Sequence, residues 1–395
     1  MMTINTPKLF QEYHVDLDNP MSVEPLLYEI FPEWSNYEST PSLPGKASQK
    51  STSKDQDHRP LQIKQLTGGI TNKLFQVHHF PTDTKLLVRA YGNGTSAIID
   101  RDREIATHIH LYEKGLAPRL FARFGNGLVY QFLEGKASEY PWLSLDCVAD
   151  AVARRLGEWH RVLDPNKVEE LIIQQKKTVD SAAAINFSRN LWELLENWIE
   201  IMPENVVKNY TKAELKQELG WIKANIGHKG GDFVVAHCDL LAGNVIVPNN
   251  FDPAQAPAGK EPQMDVLFID YEYAMPAPRA FDLANHFMEW QGFDCITDLI
   301  PAPVKSNVVL RKWARSYLGF DRNANEDAGN SNERAAVDEL LDQVFVYWGM
   351  PGFYWGVWSA IQSSISDIDF DYASYANLRL EEYTKWKKAR DHSSL

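Results

Sequence analysis

Three cysteines in 395 residues are too few for a disulfide framework, and none forms a C-x-x-C pair of the kind that holds zinc. Basic charge is scarce as well: Lys plus Arg number 40 against 53 for Asp plus Glu, a formal net charge of −13. So acidic a chain is a poor binder of nucleic acid or of an anionic membrane through bulk charge. Long apolar runs are missing, so no segment reads as a membrane span, and the start lacks the basic and apolar regions of a signal peptide. Internal repeats are absent too. The expectation is a cytoplasmic protein of a reducing compartment, with no nucleic-acid partner and no membrane insertion. What is present is a hydrophobic content of 44%, enough for a real core in two or three domains.

Residues 35–60 are rich in Ser, Thr, Pro and Lys with almost nothing apolar, and read as a disordered insert after an N-terminal helical or extended segment, 1–34. Similar breaks fall at 248–263 and 321–333. Over 61–135 the pattern alternates like strands, at Leu61–Leu66, Lys73–His79, Lys85–Tyr91, Arg119–Phe124 and Leu128–Leu133. The last two flank Gly125-Asn126-Gly127, a strong hairpin turn, and one helix fits at about Arg101–Lys114. From about 136 to 390 helical periodicity dominates. Val148, Ala151, Val152, Leu156, Trp159 and Val162 share one face, and further helices are expected near 190–202, 211–226, 279–290, 304–317, 335–349 and 352–366. Phe233–Ala236, Val245–Val247 and Val266–Ile269 interrupt them as short strands, the last two able to pair. The layout predicted is a small β-rich lobe followed by a large helical lobe, an α+β fold.

The strongest chemical signal is Val-Val-Ala-His237-Cys-Asp239-Leu-Leu-Ala-Gly-Asn244, which has the kinase catalytic-loop spacing H-x-D-x-x-x-x-N. Asp270 ends the apolar run Val266-Leu-Phe-Ile, 26 residues after Asn244. Phosphoryl transfer needs such parts: Asp239 to take the proton of an attacking hydroxyl, and Asn244 with Asp270 to hold Mg²⁺ by hard oxygen ligands. Alone, Asp270 reads equally well as a strand-end carboxylate capping a turn; the loop upstream favours function. Leu66-Thr67-Gly68-Gly69-Ile70-Thr71-Asn72 lies between two strands, where backbone without Cβ atoms can approach a phosphate. By itself it is a plain β-turn. Arg89 ends its strand and Glu104 lies on the following helix; such pairs are usually solvated, but their placement suits a phosphate-positioning pair.

Together these stretches resemble the choline/ethanolamine kinase family, which shares the protein-kinase-like two-lobed fold, over about 61–390. The most specific element is IDYEYAMPAPRAFDLANHFMEW, 269–290, where Phe281, Asp282, Asn285, His286, Phe287 and Glu289 reproduce F-D-x-x-N-H-F-x-E. The resemblance implies His237 and Asp239 in catalysis, Asn244 and Asp270 as Mg²⁺ ligands, and Thr67, Gly68, Gly69, Thr71 and Asn72 over the phosphates of ATP. It also implies Arg89 and Glu104 as the positioning pair, and Gln131 and Leu133 as the adenine hinge. Cys238 stands where the family usually has Asn. Trp355 and Trp358, three apart on a helix, would normally be core; the resemblance makes them, with Phe370 and Tyr375, walls for an ammonium.

A quaternary ammonium has no N–H donors, whereas a primary one has three and wants acceptors; Glu272, Glu289 and Asp294 are candidates. The stretches RAYGNGTSAIIDRDREI, GLAPRLFARFGNGLVYQFLEG and HCDLL look most like the ethanolamine branch. The expected reaction is therefore ATP- and Mg²⁺-dependent conversion of ethanolamine to phosphoethanolamine, the first step of the CDP-ethanolamine route to phosphatidylethanolamine. Choline as substrate, another small-molecule acceptor, and a pseudokinase scaffold are the alternatives. A homodimer is the only assembly entertained.

Overall fold

Alternation of apolar and polar residues puts every second side chain on one face, and the expected segments become strands. A short β1 (Lys8–Phe10) precedes β2 (Leu61–Leu66), β3 (Asn72–His79), β4 (Thr84–Tyr91), β5 (Leu120–Phe124) and β6 (Gly127–Gln131). They form one sheet of order β1-β5-β6-β4-β3-β2, antiparallel except for β1 on β5. The Gly125-Asn126 tip does more than turn the chain. A Cβ on Gly125 would fall 2.5 Å from the His14 ring, and the Asn126 amide exchanges hydrogen bonds of 2.9 and 2.8 Å with the Val15 backbone.

The computed structural model describes residues 7–37, 59–66, 72–92, 98–178, 188–256, 264–323, 331–366 and 368–392. It divides into two compact units, Met1–Thr95 with Pro118–Leu133, and Ser96–Ala117 with Glu134–Leu395. In the first, α1 (Glu24–Ile30) buries Leu26, Leu27 and Ile30 against Phe75, Val77, Leu86, Val88 and Val129 of the sheet. Trp34 stacks between Phe31 and His79, with ring centroids 4.5 and 4.1 Å apart. At about 1.5–3 kcal/mol for each large side chain fully buried, the segment before residue 35 is part of this core and not an appendage. Ser35–Tyr37, expected within the insert, close a 3-10 turn, and residues 38–58 lie outside the described residues.

The second unit holds α2 (Arg101–Glu113), so the helix expected within the β-rich lobe packs instead on α4 (Pro165–Thr178). Its start is capped by the Asp100 carboxylate, which accepts from Asp102 N and Arg103 N. The other helices are α3 (Asp146–Val162), α5 (Leu191–Ile201), α6 (Lys212–Asn225), α7 (Arg279–Met288), α8 (Val308–Leu318), α9 (Ser331–Val346), α10 (Met350–Ile365) and α11 (Tyr372–His392). Two small sheets lie among them: β7 (Lys136–Ala137), β9 (Val245–Val247) and β10 (Leu267–Phe268) form one, and β8 (Phe233–Ala236) with β11 (Met275–Pro278) the other. β9 and β10 pair antiparallel as anticipated. Val162, expected on the buried face of α3, is exposed at the helix end.

α7 is buried from Ala280 to Met288 and α10 from Met350 to Gln362, which makes them the central helices of this unit. α10 lies close against α11 because Gly352 and Gly356 face it; a Cβ at either would meet the Arg379 carbonyl or the Leu380 side chain at 2.5 Å. No helix among the described residues is long and apolar enough to cross a membrane.

Candidate active site

β8 ends at Ala236 and the chain turns through Cys238, whose φ of 63° lies in the left-handed region. That conformation costs a residue with a Cβ about 1–3 kcal/mol. Asp282, on the buried face of α7, holds the turn. Its Oδ2 accepts from His237 N at 2.9 Å and its Oδ1 from Cys238 N at 2.8 Å, while His160 Nε2 on α3 lies 2.9 Å from Oδ2. The other nitrogen of His160 meets Tyr317 OH at 2.8 Å. Burial alone would raise the Asp282 carboxyl, but the His160 bond and charge, then His237, outweigh it and keep it below its ordinary value.

A second contact chain fixes the loop beyond the turn. Asn285 Nδ2, one helical turn on from Asp282, donates to the Cys238 carbonyl at 2.9 Å, and Trp355 Nε1 donates to Asn285 Oδ1 at 2.8 Å. His286 Nδ1 donates to the Leu240 carbonyl at 3.0 Å, and its Nε2 accepts from Trp290 at 3.3 Å. Asp239 and Asn244 are brought together: Asn244 Nδ2 donates to the Asp239 carbonyl at 2.8 Å and to its Oδ2 at 3.0 Å, which leaves the Asn244 amide oxygen as a hard donor. Burial raises the proton affinity of Asp239 well above normal, and the nearby charges of Asp270, Glu289 and Glu272 add to it.

His237 takes a different part from the one expected. Its Nε2 donates to the Ile269 carbonyl at 3.1 Å, and its ring is enclosed by Trp159, Phe268 and Tyr271. Burial lowers its pKa to about 4, so it is neutral at physiological pH. It ties the loop to the segment before Asp270.

Ile269 N donates to the Asn244 carbonyl at 3.0 Å, closing the same gap from the other side, and Asp270 then adopts a left-handed φ of 66°. Two residues later Glu272 turns inward, where Arg101 Nη1 holds it at 2.9 Å and Glu104 Oε2 also at 2.9 Å. Arg101, absent from the sequence-based candidates, thus joins two buried carboxylates. Nothing but its place beside Asp100 could have pointed to it.

Beyond Glu272, Tyr273 opens an aromatic arc. Its ring lies edge-on to Trp355 at 6.1 Å and Trp358 at 6.4 Å, and its hydroxyl accepts from Trp358 Nε1 at 2.9 Å. Tyr372 stands 5.8 Å from Trp358 and 4.9 Å from Phe370, which in turn lies 5.5 Å from Tyr375. Trp355, Trp358, Phe370 and Tyr375 thus belong, through Tyr372, to one run of touching rings. Glu289, just past α7, keeps a partly open edge, yet burial pushes its carboxyl up to about 7 against the pull of Arg379. Asp294, expected beside it, is exposed in the following turn and does not join these buried acceptors.

In the first unit, Asn72 begins β3 opposite Tyr91, and Arg89 is buried in β4 in register with Leu74 and Leu128. Gln131 is exposed at the end of β6 and its N–H is already donated to the Arg119 carbonyl at 2.9 Å, so that N–H is not open to an adenine. Leu133 follows, half-buried. Thr67, Gly68, Gly69 and Thr71 lie outside the described residues.

Known proteins place this geometry. The family model for choline/ethanolamine kinases matches residues 63–384. Ethanolamine kinase 1 of Mus musculus is 30% identical over 342 residues, covering 84% of this chain and 85% of the relative. A probable ethanolamine kinase of Nematostella vectensis is 30% identical over 371 residues, covering 92% and 96%. Among solved structures, a Plasmodium vivax ethanolamine kinase is 26% identical with a TM-score of 0.65, covering 83% of each chain. A choline kinase of Cryptosporidium parvum shares the fold at 19% identity and a TM-score of 0.60, covering 86% of this chain and 92% of its own. A paired Asp239 and Asn244 on a loop held by α7, in a chain matched along most of its length, make this protein a member of the choline/ethanolamine kinase family, with its protein-kinase-like α+β fold.

Proposed function

We propose that this chain transfers the γ-phosphoryl group of ATP to the hydroxyl of ethanolamine, giving phosphoethanolamine and ADP. The observation that supports it best is the convergence, within one unit, of the Asp239–Asn244 loop and an aromatic arc bearing the carboxylate Glu289, whose charge reaches Asp239. Asp239 takes the proton as the alcohol oxygen attacks phosphorus, and the bond to the departing ADP oxygen breaks. Asp282, His237, Asn285 and Trp355 hold Asp239 in position and touch no reacting atom. The aromatic faces of Trp355, Trp358 and Tyr375 favour the cation, while Glu289 and Glu272 supply acceptors suited to a primary ammonium. Choline, satisfied by aromatic faces alone, is the second reading.

The donor chemistry fits magnesium. The charges of Asp270 and Glu272 lie close enough to buried Asp239 to raise its proton affinity, and the free amide oxygen of Asn244 is a hard ligand. No group of three or more His, Cys, Asp or Glu set to hold a metal occurs among the described residues. Asn244 and Asp270 would thus hold the ion only together with phosphate oxygens and water. A bound magnesium would supply neutralisation of the phosphate charge. For the nucleotide itself, Thr67, Gly68, Gly69, Thr71 and Asn72 would meet the phosphates, Arg89 and Glu104 would position them, and Gln131 and Leu133 would meet the adenine. A cytoplasmic setting agrees with a chain of 395 residues that carries three cysteines.

The test is ADP release with Mg²⁺-ATP, comparing kcat/KM for ethanolamine and choline. The expected result is a clear preference for ethanolamine. Preference for choline would overturn the choice of amine, and inertness towards both would overturn the reaction.

A further inference from the structure

Behind the aromatic arc lies a polar cluster that the phosphoryl-transfer machinery does not use. Arg379, on the face of α11 that packs against α10, is 1% exposed, and its Nη1 meets Glu382 Oε2 at 3.2 Å, one turn along the same helix. Its guanidinium carbon lies 5.8 Å from the Tyr375 ring centroid. Arg379 Nε and Nη2, Glu382 Oε1 and both amide atoms of Gln291 make no hydrogen bond of good geometry; Gln291 only approaches Glu382, and Cys295 only approaches Arg379. Gln291, 1% exposed, ends the 3-10 turn that begins with Glu289 and lies alongside Glu382. Polar atoms left so poorly satisfied on and beside one buried cation are costly in a closed core and are expected where a polar ligand or its water enters.

We propose that Arg379 is a positioning residue of the amine pocket: clamped by Glu382 against Tyr375, it offsets one of the carboxylates Glu289 and Glu382, so that the pocket keeps the single negative charge that one alkylammonium ion matches. The inference rests on the proposed amine substrate. With Glu289 ionised, above about pH 7, two carboxylates and one guanidinium leave one negative charge; without Arg379 they would leave two, and without Glu382 none. The groups facing Glu289 are Arg379, Glu382 and Tyr375 from α11, Trp355 from α10 and Cys295 from the turn after Gln291, with Asp239 in its field from the catalytic loop. Arg379 lowers the proton affinity of Glu289 and Glu382 raises it. The two α11 residues thus pull the ionisation of Glu289 in opposite directions.

The experiment measures the amine KM, the ATP KM and kcat from pH 6 to 9 for the full chain and for Arg379→Met, Arg379→Lys and Glu382→Gln. In the wild type the amine KM should fall as pH rises through about 7, as Glu289 ionises. Arg379→Met should move that midpoint up by about one pH unit, and so raise the amine KM about fivefold at pH 7, with the ATP KM within about twofold. Arg379→Lys should restore most of the wild-type profile. Glu382→Gln should move the midpoint down and weaken amine binding at high pH, and it serves alone if Arg379→Met does not fold. Midpoints that stay put, or that move in the same direction in both variants, would overturn the role of Arg379 while leaving the kinase reading intact. A wild type inert towards ethanolamine and choline would instead overturn the reading beneath it.

Discussion

Asp282→Asn gives the sharpest test of how the catalytic loop is held. The carboxylate accepts from His237 N and Cys238 N and meets His160 Nε2, at 2.8–2.9 Å, with no solvent access. An amide keeps one acceptor oxygen and turns an N–H₂ donor towards groups that also donate. At least one charge-assisted bond is lost and a buried N–H is left without a partner, a cost of about 3–5 kcal/mol. These bonds keep Cys238 at a φ of 63°, a conformation that costs about 1–3 kcal/mol and relaxes when they go. If the relaxed loop is inactive, its productive fraction falls about 5- to 150-fold, and kcat falls with it. The KM values for ATP and amine should change little, since Asp282 contacts neither. Steady-state kinetics with a thermal unfolding scan measure both effects. Replacing Cys238 by Gly in the same variant should recover part of kcat, because glycine adopts the left-handed conformation without penalty. A variant with kcat within twofold of wild type and an unchanged unfolding temperature would refute the account.

Asp239→Ala should lower kcat by about 10²-fold or more with folding intact, and near-normal turnover would remove Asp239 from the chemistry. Trp355→Phe keeps an aromatic face but loses the donor to Asn285, so kcat should drop more than amine affinity; Trp358→Ala should do the reverse, and parallel kinetic changes in the two would refute the division. Cys238 is fully buried and burial raises its thiol pKa, so a native thiol titration should find Cys147 and Cys295 first and Cys238 only on unfolding. His286 is held neutral by burial with a pKa of about 4, below the unfolded value. Its contribution, on the order of 3 kcal/mol, is therefore present above about pH 6.5 and lost as pH falls towards 4. Unfolding scans across that range should show a shallower acid loss in His286→Gln than in the wild type.

Much of this was legible in one dimension because it depends on short spacings. Alternation marked the strands of the first sheet, and the six residues between Asp239 and Asn244 inclusive are close enough that their backbone alone nearly dictates the contact. Helix α11 was not anticipated. Its buried residues, Tyr372, Ala376, Arg379, Leu380 and Tyr383, include an arginine and recur among many charged positions, which blurs the apolar stripe. The strand β11 was hidden by two prolines in Met275–Pro278, tolerable only because this two-stranded sheet offers an edge. His237 was read as catalytic because its motif places it beside Asp239, and no pattern reveals that its ring turns away to Ile269.

Chain-local chemistry by itself determined that this protein carries a phosphotransfer loop, a strand-end Asp270 and an aromatic helix, since each needs only residue types at fixed intervals. The tertiary structure alone decided what those residues do to one another. It set Asp282 under the loop, joined Arg101 to Glu272 from 171 positions away, and placed Arg379 against Tyr375 behind Glu289. The physical reason is that charge and hydrogen bonding act through a few ångströms of space. Groups far apart in sequence become partners only when packing excludes water between them, and that exclusion sets which carboxylates hold a proton and which hold a cation.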